Sequence, residues 1–300
     1  MSFKGLLSRR IKLALQLLVS AGLVVFILRQ IDLGQARALL PGGEGWSWLL
    51  GAALLFNLSR VAGARRLNVY QRKAGIALGE TENLKLYYAG MFLNMFLPGG
   101  IGGDGYKVLV LHRRQAAPVK SLVLIMLTDR ASGLLVLLML LCLFAPLLAL
   151  PWEKGVVLLL AAAGAAALAA VFVIWHRLLL KMAGAGIASV FGYGMAVQVL
   201  QLVSMAALLA CLRVAPADFL AYLAIFLLSS VAAVLPLSFG GLGAREVTFF
   251  YGLDLLGLDP THGVLAASGF FLLTLVSSLP GAFFLAGFGT RAEARYPAGS

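Results

Sequence analysis

Five side chains able to bind an ion, pass a proton or hold a phosphate stand in otherwise apolar sequence: Asp104, Asp129-Arg130 and Arg245-Glu246. A guanidinium is a planar fork that matches carboxylate or phosphate oxygens, and a carboxylate beside it can orient it or exchange a proton. Two readings follow from residue type alone. In one, the groups satisfy each other as ion pairs such as Asp104 with Arg130. In the other, Arg130 and Arg245 meet a phosphate while Asp104 and Glu246 orient them or carry protons. No nucleophile is identifiable. His112, His176 and His262 show no metal-binding spacing, and neither a G-x-S-x-G elbow nor a P-loop occurs. Tyr88 and Asn94 are polar residues in an apolar stretch but have no catalytic spacing.

The elements that must position these charges contain two similar interruptions. The first runs Leu97-Pro98-Gly99-Gly100-Ile101-Gly102-Gly103-Asp104, and the second Leu235-Pro236-Leu237-Ser238-Phe239-Gly240-Gly241-Leu242-Gly243-Ala244-Arg245-Glu246. Each has Leu-Pro, then Gly-Gly-aliphatic-Gly, then an acidic residue after one or two more positions. Proline removes a helical donor and glycine admits backbone angles closed to other residues. At membrane depth such backbone is tolerated only inside protein or beside a watery cavity. A helix restarting after Gly103 or Gly243 would direct free N–H groups and a positive dipole end into that cavity. The simpler alternative is that the glycines only permit close helix packing.

That a membrane is involved follows from composition. Of 300 residues, 61% are hydrophobic and 12% charged, against roughly 45–50% and 25% in soluble domains. A span needs about 20 apolar residues to cross roughly 30 Å of hydrocarbon. The candidate spans are Leu13 to Leu28, Trp48 to Val61 with small residues extending it, Ser121 to Leu150, Val156 to Trp175, Ile187 to Leu212, and Val264 to Phe288. The interrupted stretches, about 84–118 and 219–258, read as re-entrant helical hairpins. The expected fold is an all-α polytopic membrane protein, a single transmembrane domain over 1–300. It has about six full transmembrane helices and two opposed hairpins related as an inverted repeat, an arrangement that builds midplane sites.

Charge supports this topology. Lys and Arg number 24 against 12 Asp and Glu. Eighteen basic residues fall on the inner side, including Lys4 to Lys12, Arg60, Arg65, Arg66, Arg72, Lys73, Arg113, Arg114, Arg177 and Lys181. That asymmetry is the positive-inside pattern, with both termini cytoplasmic, and it removes the need for nucleic acid to explain the basic balance. The apolar run after Lys12 lacks a small-x-small cleavage site and reads as a retained first span. Trp46, Trp48 and Trp152 fall at the outer interface and Trp175 at the inner one. Cys142 and Cys211, isolated in apolar runs, read as buried small hydrophobes.

Leu97-Pro98, Gly102-Gly103-Asp104, Lys107, Asp129-Arg130, Gly133, Leu235-Pro236, Gly241-Leu242-Gly243 and Glu246 together give the chain a resemblance to a known family. It resembles the transmembrane region of lysylphosphatidylglycerol synthases and the stand-alone, flippase-like relatives of that region. The likeness extends from the first span to the last. It adds Lys107 to the substrate-binding candidates, where many relatives have Arg; a lysine would meet a phosphate only as a point charge. It implies lipid translocation without lysyl transfer, since no aminoacyl-transferase domain follows Phe288. The expectation is a flippase of a bacterial or archaeal cytoplasmic membrane, not an enzyme. It would move an amphiphile with an anionic, phosphate-containing headgroup, either phospholipid or polyprenyl-linked. Membrane lipids are the expected partners, no cofactor is called for, and a homo-oligomer is left open. The rival readings are a non-transporting scaffold or accessory subunit and an integral-membrane lipid-modifying enzyme.

Overall fold

The computed structural model describes residues 43, 45–96, 101–148, 152–234 and 243–293, and among these the fold is entirely helical. The helices are α1 Gly45–Lys73, α2 Glu80–Phe96, α3 Gly102–Gln115, α4 Val119–Phe144, α5 Lys154–Leu178, α6 Gly184–Cys211, α7 Phe219–Val234, α8 Ala244–Leu255, α9 Pro260–Ser278 and α10 Pro280–Glu293. Leu13 to Leu28, Pro98, Pro236 and Gly241 lie outside the described residues.

Six described segments are long and apolar enough to cross a membrane: Gly45–Lys73, Val119–Leu147, Lys154–Leu178, Gly184–Cys211, Pro216–Val234 and Pro260–Leu285. Five of them overlap a span read from the sequence, and two, Gly45–Lys73 and Lys154–Leu178, contain it whole. The sixth, Pro216–Val234, overlaps the second interrupted stretch. The span read as Val264 to Phe288 is two helices, because Pro280 opens α10 directly after Leu279 caps α9.

The largest difference concerns α1, which runs to Lys73 and carries Arg60 and Arg66 inside the bundle, whereas the sequence reading counted both among the basic residues of the inner side. Its buried positions, including Ala52, Phe56, Ser59, Gly63, Arg66, Leu67 and Tyr70, keep a helical period straight through the expected end at Val61. Small residues at Ala62, Gly63 and Ala64 allow neighbours to pack closely there. One apolar core gathers Phe56, Met205, Phe226, Phe249 and Phe270. A second gathers Leu67, Tyr70, Leu122, Ile125 and Phe172. On α1, Arg60 and Arg66 lie between them.

Local contacts fix the direction of each helix. The Ser204 hydroxyl of α6 donates to the Ala52 carbonyl of α1 at 2.8 Å, so the late part of α6 lies beside the early part of α1 and the two are antiparallel. Arg72, ending α1, pairs with Glu80, opening α2. Arg114, ending α3, pairs with Glu82 at 2.5 Å. α2 and α3 therefore form an antiparallel pair whose outer ends meet the C-terminal end of α1. At the other end, Tyr222 near the start of α7 donates to the carbonyl of Asp259, just past α8, at 3.1 Å. α7 and α8 also pack together. Their outer ends follow from α6 and lie toward the N-terminal end of α1. The two helix pairs thus enter the bundle from opposite ends.

Candidate functional site

Asp104 is the third residue of α3, and one turn later Lys107 reaches back to it, Nζ to Oδ1 at 3.0 Å. The Arg130 guanidinium, from α4, takes the other carboxylate oxygen. Asp104 and Lys107 are buried and Arg130 is half-buried. Lys107 Nζ also lies 4.9 Å from the centre of the Tyr87 ring. Its stem passes where a side chain on Gly90 would sit, so the lysine is committed to these partners.

Asp129 precedes Arg130 by one residue, about 100° round α4, and so faces a different helix. It accepts from Arg66 of α1, Nε to Oδ1 at 2.8 Å, while Arg66 Nη2 donates to the Asp129 carbonyl at 3.1 Å. Gly133 makes room for this guanidinium, since a Cβ there would lie 3.1 Å from Arg66 Nη1. A charge at the centre of a span costs about 2.5–3.5 kcal/mol on insertion scales. The two carboxylates, each against one or two cations, answer that cost locally. Removing one member would leave the other buried and uncompensated.

The second pair of sequence candidates lies apart from the first. Arg245 Nη1 donates to the Ser230 hydroxyl at 3.0 Å and to that of Ser229 at 3.3 Å, and the guanidinium lies over Phe270 at 5.2 Å and Phe226 at 5.4 Å. Glu246 turns back to accept the Gly243 N–H at 2.7 Å, capping α8 where Gly243 adopts φ +84°. Ser268 donates to its other oxygen at 3.5 Å. At the first break Asn94 Oδ1 accepts the Gly103 N–H at 2.7 Å. At each break a glycine N–H is thus taken up by a side chain, Gly103 by Asn94 and Gly243 by Glu246.

Residues that sequence reasoning passed over join the two clusters. Arg60 lies 4.5 Å above the Phe56 ring. Beside it, Tyr88 donates to Asn57 Oδ1 at 2.7 Å and Asn57 Nδ2 donates to Ser277 at 3.0 Å, tying α1, α2 and α9 together. The signal for Arg60 and Arg66 was present in the unbroken helical period of α1.

A cavity of about 290 Å³ opens between α3 and α4. Asp104 and Arg130 are its charged wall, and the remainder is glycine and apolar side chains such as Val108, Met126 and Val234. Ile101 and Leu127, 58% and 57% exposed, carry it out to the apolar surface of the bundle. A larger cavity of about 530 Å³ lies where α2, α3 and α10 meet, walled by Lys85, Phe284, Phe288 and the Glu82–Arg114 pair. Among the described residues no three His, Cys, Asp or Glu side chains gather as a metal site would need. Cys142 and Cys211 are free thiols and half-buried, slightly more open than their apolar settings suggested.

A helical bundle with six segments fit to cross a bilayer and paired charges in its interior is an integral membrane protein. The family model for the lysylphosphatidylglycerol synthase TM region matches residues 13–281, and the chain belongs to that family. Searches of curated proteins and of solved structures return no match.

Proposed function

We propose that the protein is a lipid flippase or transporter rather than an enzyme, moving an amphiphile with an anionic, phosphate-containing headgroup across the cytoplasmic membrane. The observation that carries this reading is the cavity between α3 and α4. A charged wall of Asp104 and Arg130 with an apolar remainder, open to the apolar surface, matches a molecule with a polar head and hydrocarbon tails. Family membership supports a lipid-related membrane function.

In this reading α2–α3 and α7–α8 are re-entrant hairpins, and their entry from opposite ends makes them the halves of an inverted repeat. Asp104 exchanges partners during transport. When a phosphate enters, Arg130 turns to it and Lys107 keeps the carboxylate neutralised; when the phosphate leaves, the Asp104–Arg130 pair re-forms. Arg245 offers a guanidinium at the second hairpin, with Glu246 fixing the start of its helix. Asp129 holds Arg66 and so positions α4.

The lipids that accompany the protein from the membrane test this reading. Mass spectrometry of the purified chain is expected to find anionic phosphate lipid enriched over the surrounding membrane, with the enrichment reduced in Arg130→Ala. Equal lipid composition in the sample and the bulk membrane would overturn it. A chemically altered lipid produced by the purified chain would favour the enzyme reading instead.

A further inference from the structure

Among the described residues, the interior charges do not balance. Arg60, Arg66, Lys107, Arg130 and Arg245 are five cations, against the three carboxylates of Asp104, Asp129 and Glu246. Arg66 is matched to Asp129, and Lys107 and Arg130 share Asp104. Glu246 is turned onto the Gly243 amide. Among the described residues, neither Arg60 nor Arg245 has a carboxylate within ion-pair distance.

These two guanidiniums are neighbours. Arg60 lies over Phe56, Arg245 over Phe270, and those rings meet edge to face with centroids 5.4 Å apart. Phe226, the other ring under Arg245, is 4.7 Å from Phe270. Two like charges within electrostatic reach of each other therefore share one aromatic platform. Both keep some accessible surface although α1, α7, α8 and α9 surround them. Arg60 is also the deepest charge on α1, 15 positions from Gly45 and 13 from Lys73, or roughly 20 Å to either end at 1.5 Å per residue. A site this deep, with two unmatched cations, lacks an anion. Stacking leaves the edges of a guanidinium free to donate, and its planar fork suits tetrahedral oxyanions.

We infer that Arg60 and Arg245 form a phosphate-binding seat on the Phe56–Phe270–Phe226 platform, distinct from the Asp104–Arg130 wall. Choosing a lipid phosphate as its natural occupant rests on the reading of the chain as a carrier of anionic amphiphiles. The oxyanion chemistry stands without that reading. The Ser229 and Ser230 hydroxyls hold Arg245 in place, and the Asn57–Tyr88–Ser277 bonds fix α1 beside it.

The test is the thermal unfolding midpoint of the full chain in detergent, titrated with phosphatidylglycerol in one arm and inorganic phosphate in the other. A ligand that binds only the folded state raises the midpoint with concentration. Phosphatidylglycerol is expected to do so for the native chain, with its apparent affinity falling about tenfold in Arg60→Gln and in Arg245→Gln, as losing a charge-assisted hydrogen bond implies. Arg60→Lys keeps the charge and should lose less. Arg72→Gln, at an exposed pair on the end of α1, should change nothing. A full shift from inorganic phosphate alone names the free ion as occupant, whereas a shift reached only with the lipid names the headgroup. The seat is refuted if neither compound moves the native midpoint, or if the shift survives undiminished in both glutamine variants. Should those variants not fold, competition between phosphate and phosphatidylglycerol on the native chain and on Arg60→Lys decides: competition weakened by the lysine supports the seat, and its absence refutes it. Binding lost in the variants of a chain that moves no lipid would leave the seat standing and the carrier reading overturned. Lipid movement with unchanged binding in the variants would do the reverse.

Discussion

Two cations, Lys107 and Arg130, converge on the buried Asp104. Asp104→Asn keeps the shape and removes the charge, leaving Lys107 and Arg130 side by side. Breaking a buried ion pair from one side costs about 3–5 kcal/mol, so chemical denaturation of the purified protein should show a loss of that order. Adding Lys107→Met should restore part of it, since one of the two stranded charges is gone. The sequence showed Asp104, Asp129 and Arg130 plainly, because charges are costly in an apolar background. Arg66, the partner of Asp129, was harder to see, and so was Arg60. Arg66 and Arg60 resembled ordinary topology determinants, and only the continued burial period of α1 marks them as interior.

At the level of the helices, glycine contacts decide which pairs can form. A Cβ on Gly103 would run into the Gly90 carbonyl of α2, which is backbone and cannot step aside. Gly103→Ala should therefore cost about 1–3 kcal/mol, the usual penalty for overpacking, and should spread α2 from α3. At Gly133 a Cβ would meet only the tip of Arg66, 3.1 Å away. Gly133→Ala should cost less stability while disturbing the Arg66–Asp129 pair, and comparing the two unfolding curves checks the difference. α9 offers a pH test. The Thr261 N–H donates to the Asp259 carboxylate at the helix start and holds it below its ordinary value of 3.8. Its contribution to stability is full above that value and is lost as pH falls through the depressed one. Asp259→Ala should accordingly lower the unfolding midpoint at neutral pH, with the gap to the native chain closing in acid. The glycine breaks were legible as sequence. Their contacts were not, because Gly90 and Gly103 meet across two helices and no local pattern records which glycine faces which.

For the whole molecule, the apolar composition and long runs established the helical membrane fold, and the family match over residues 13–281 agrees. Charge asymmetry was the ground for expecting opposed hairpins, since basic residues collect where α1, α3 and α5 end. The split of the last span at Leu279 was less visible, with Pro280 set among apolar residues that read as continuous. Exposed leucines along α5, with only Val157, Phe172 and His176 buried, give the bundle a face suited to lipid. Whether this bundle moves anionic lipid is tested by reconstitution of the full chain into liposomes carrying fluorescent phosphatidylglycerol, with a membrane-impermeant quencher added outside. Quenching beyond the outer-leaflet share is expected in protein-containing vesicles, much slower with Arg130→Ala or Glu246→Gln. Quenching that stops at the outer-leaflet share, as in protein-free vesicles, under both imposed and absent ion gradients, would contradict lipid movement.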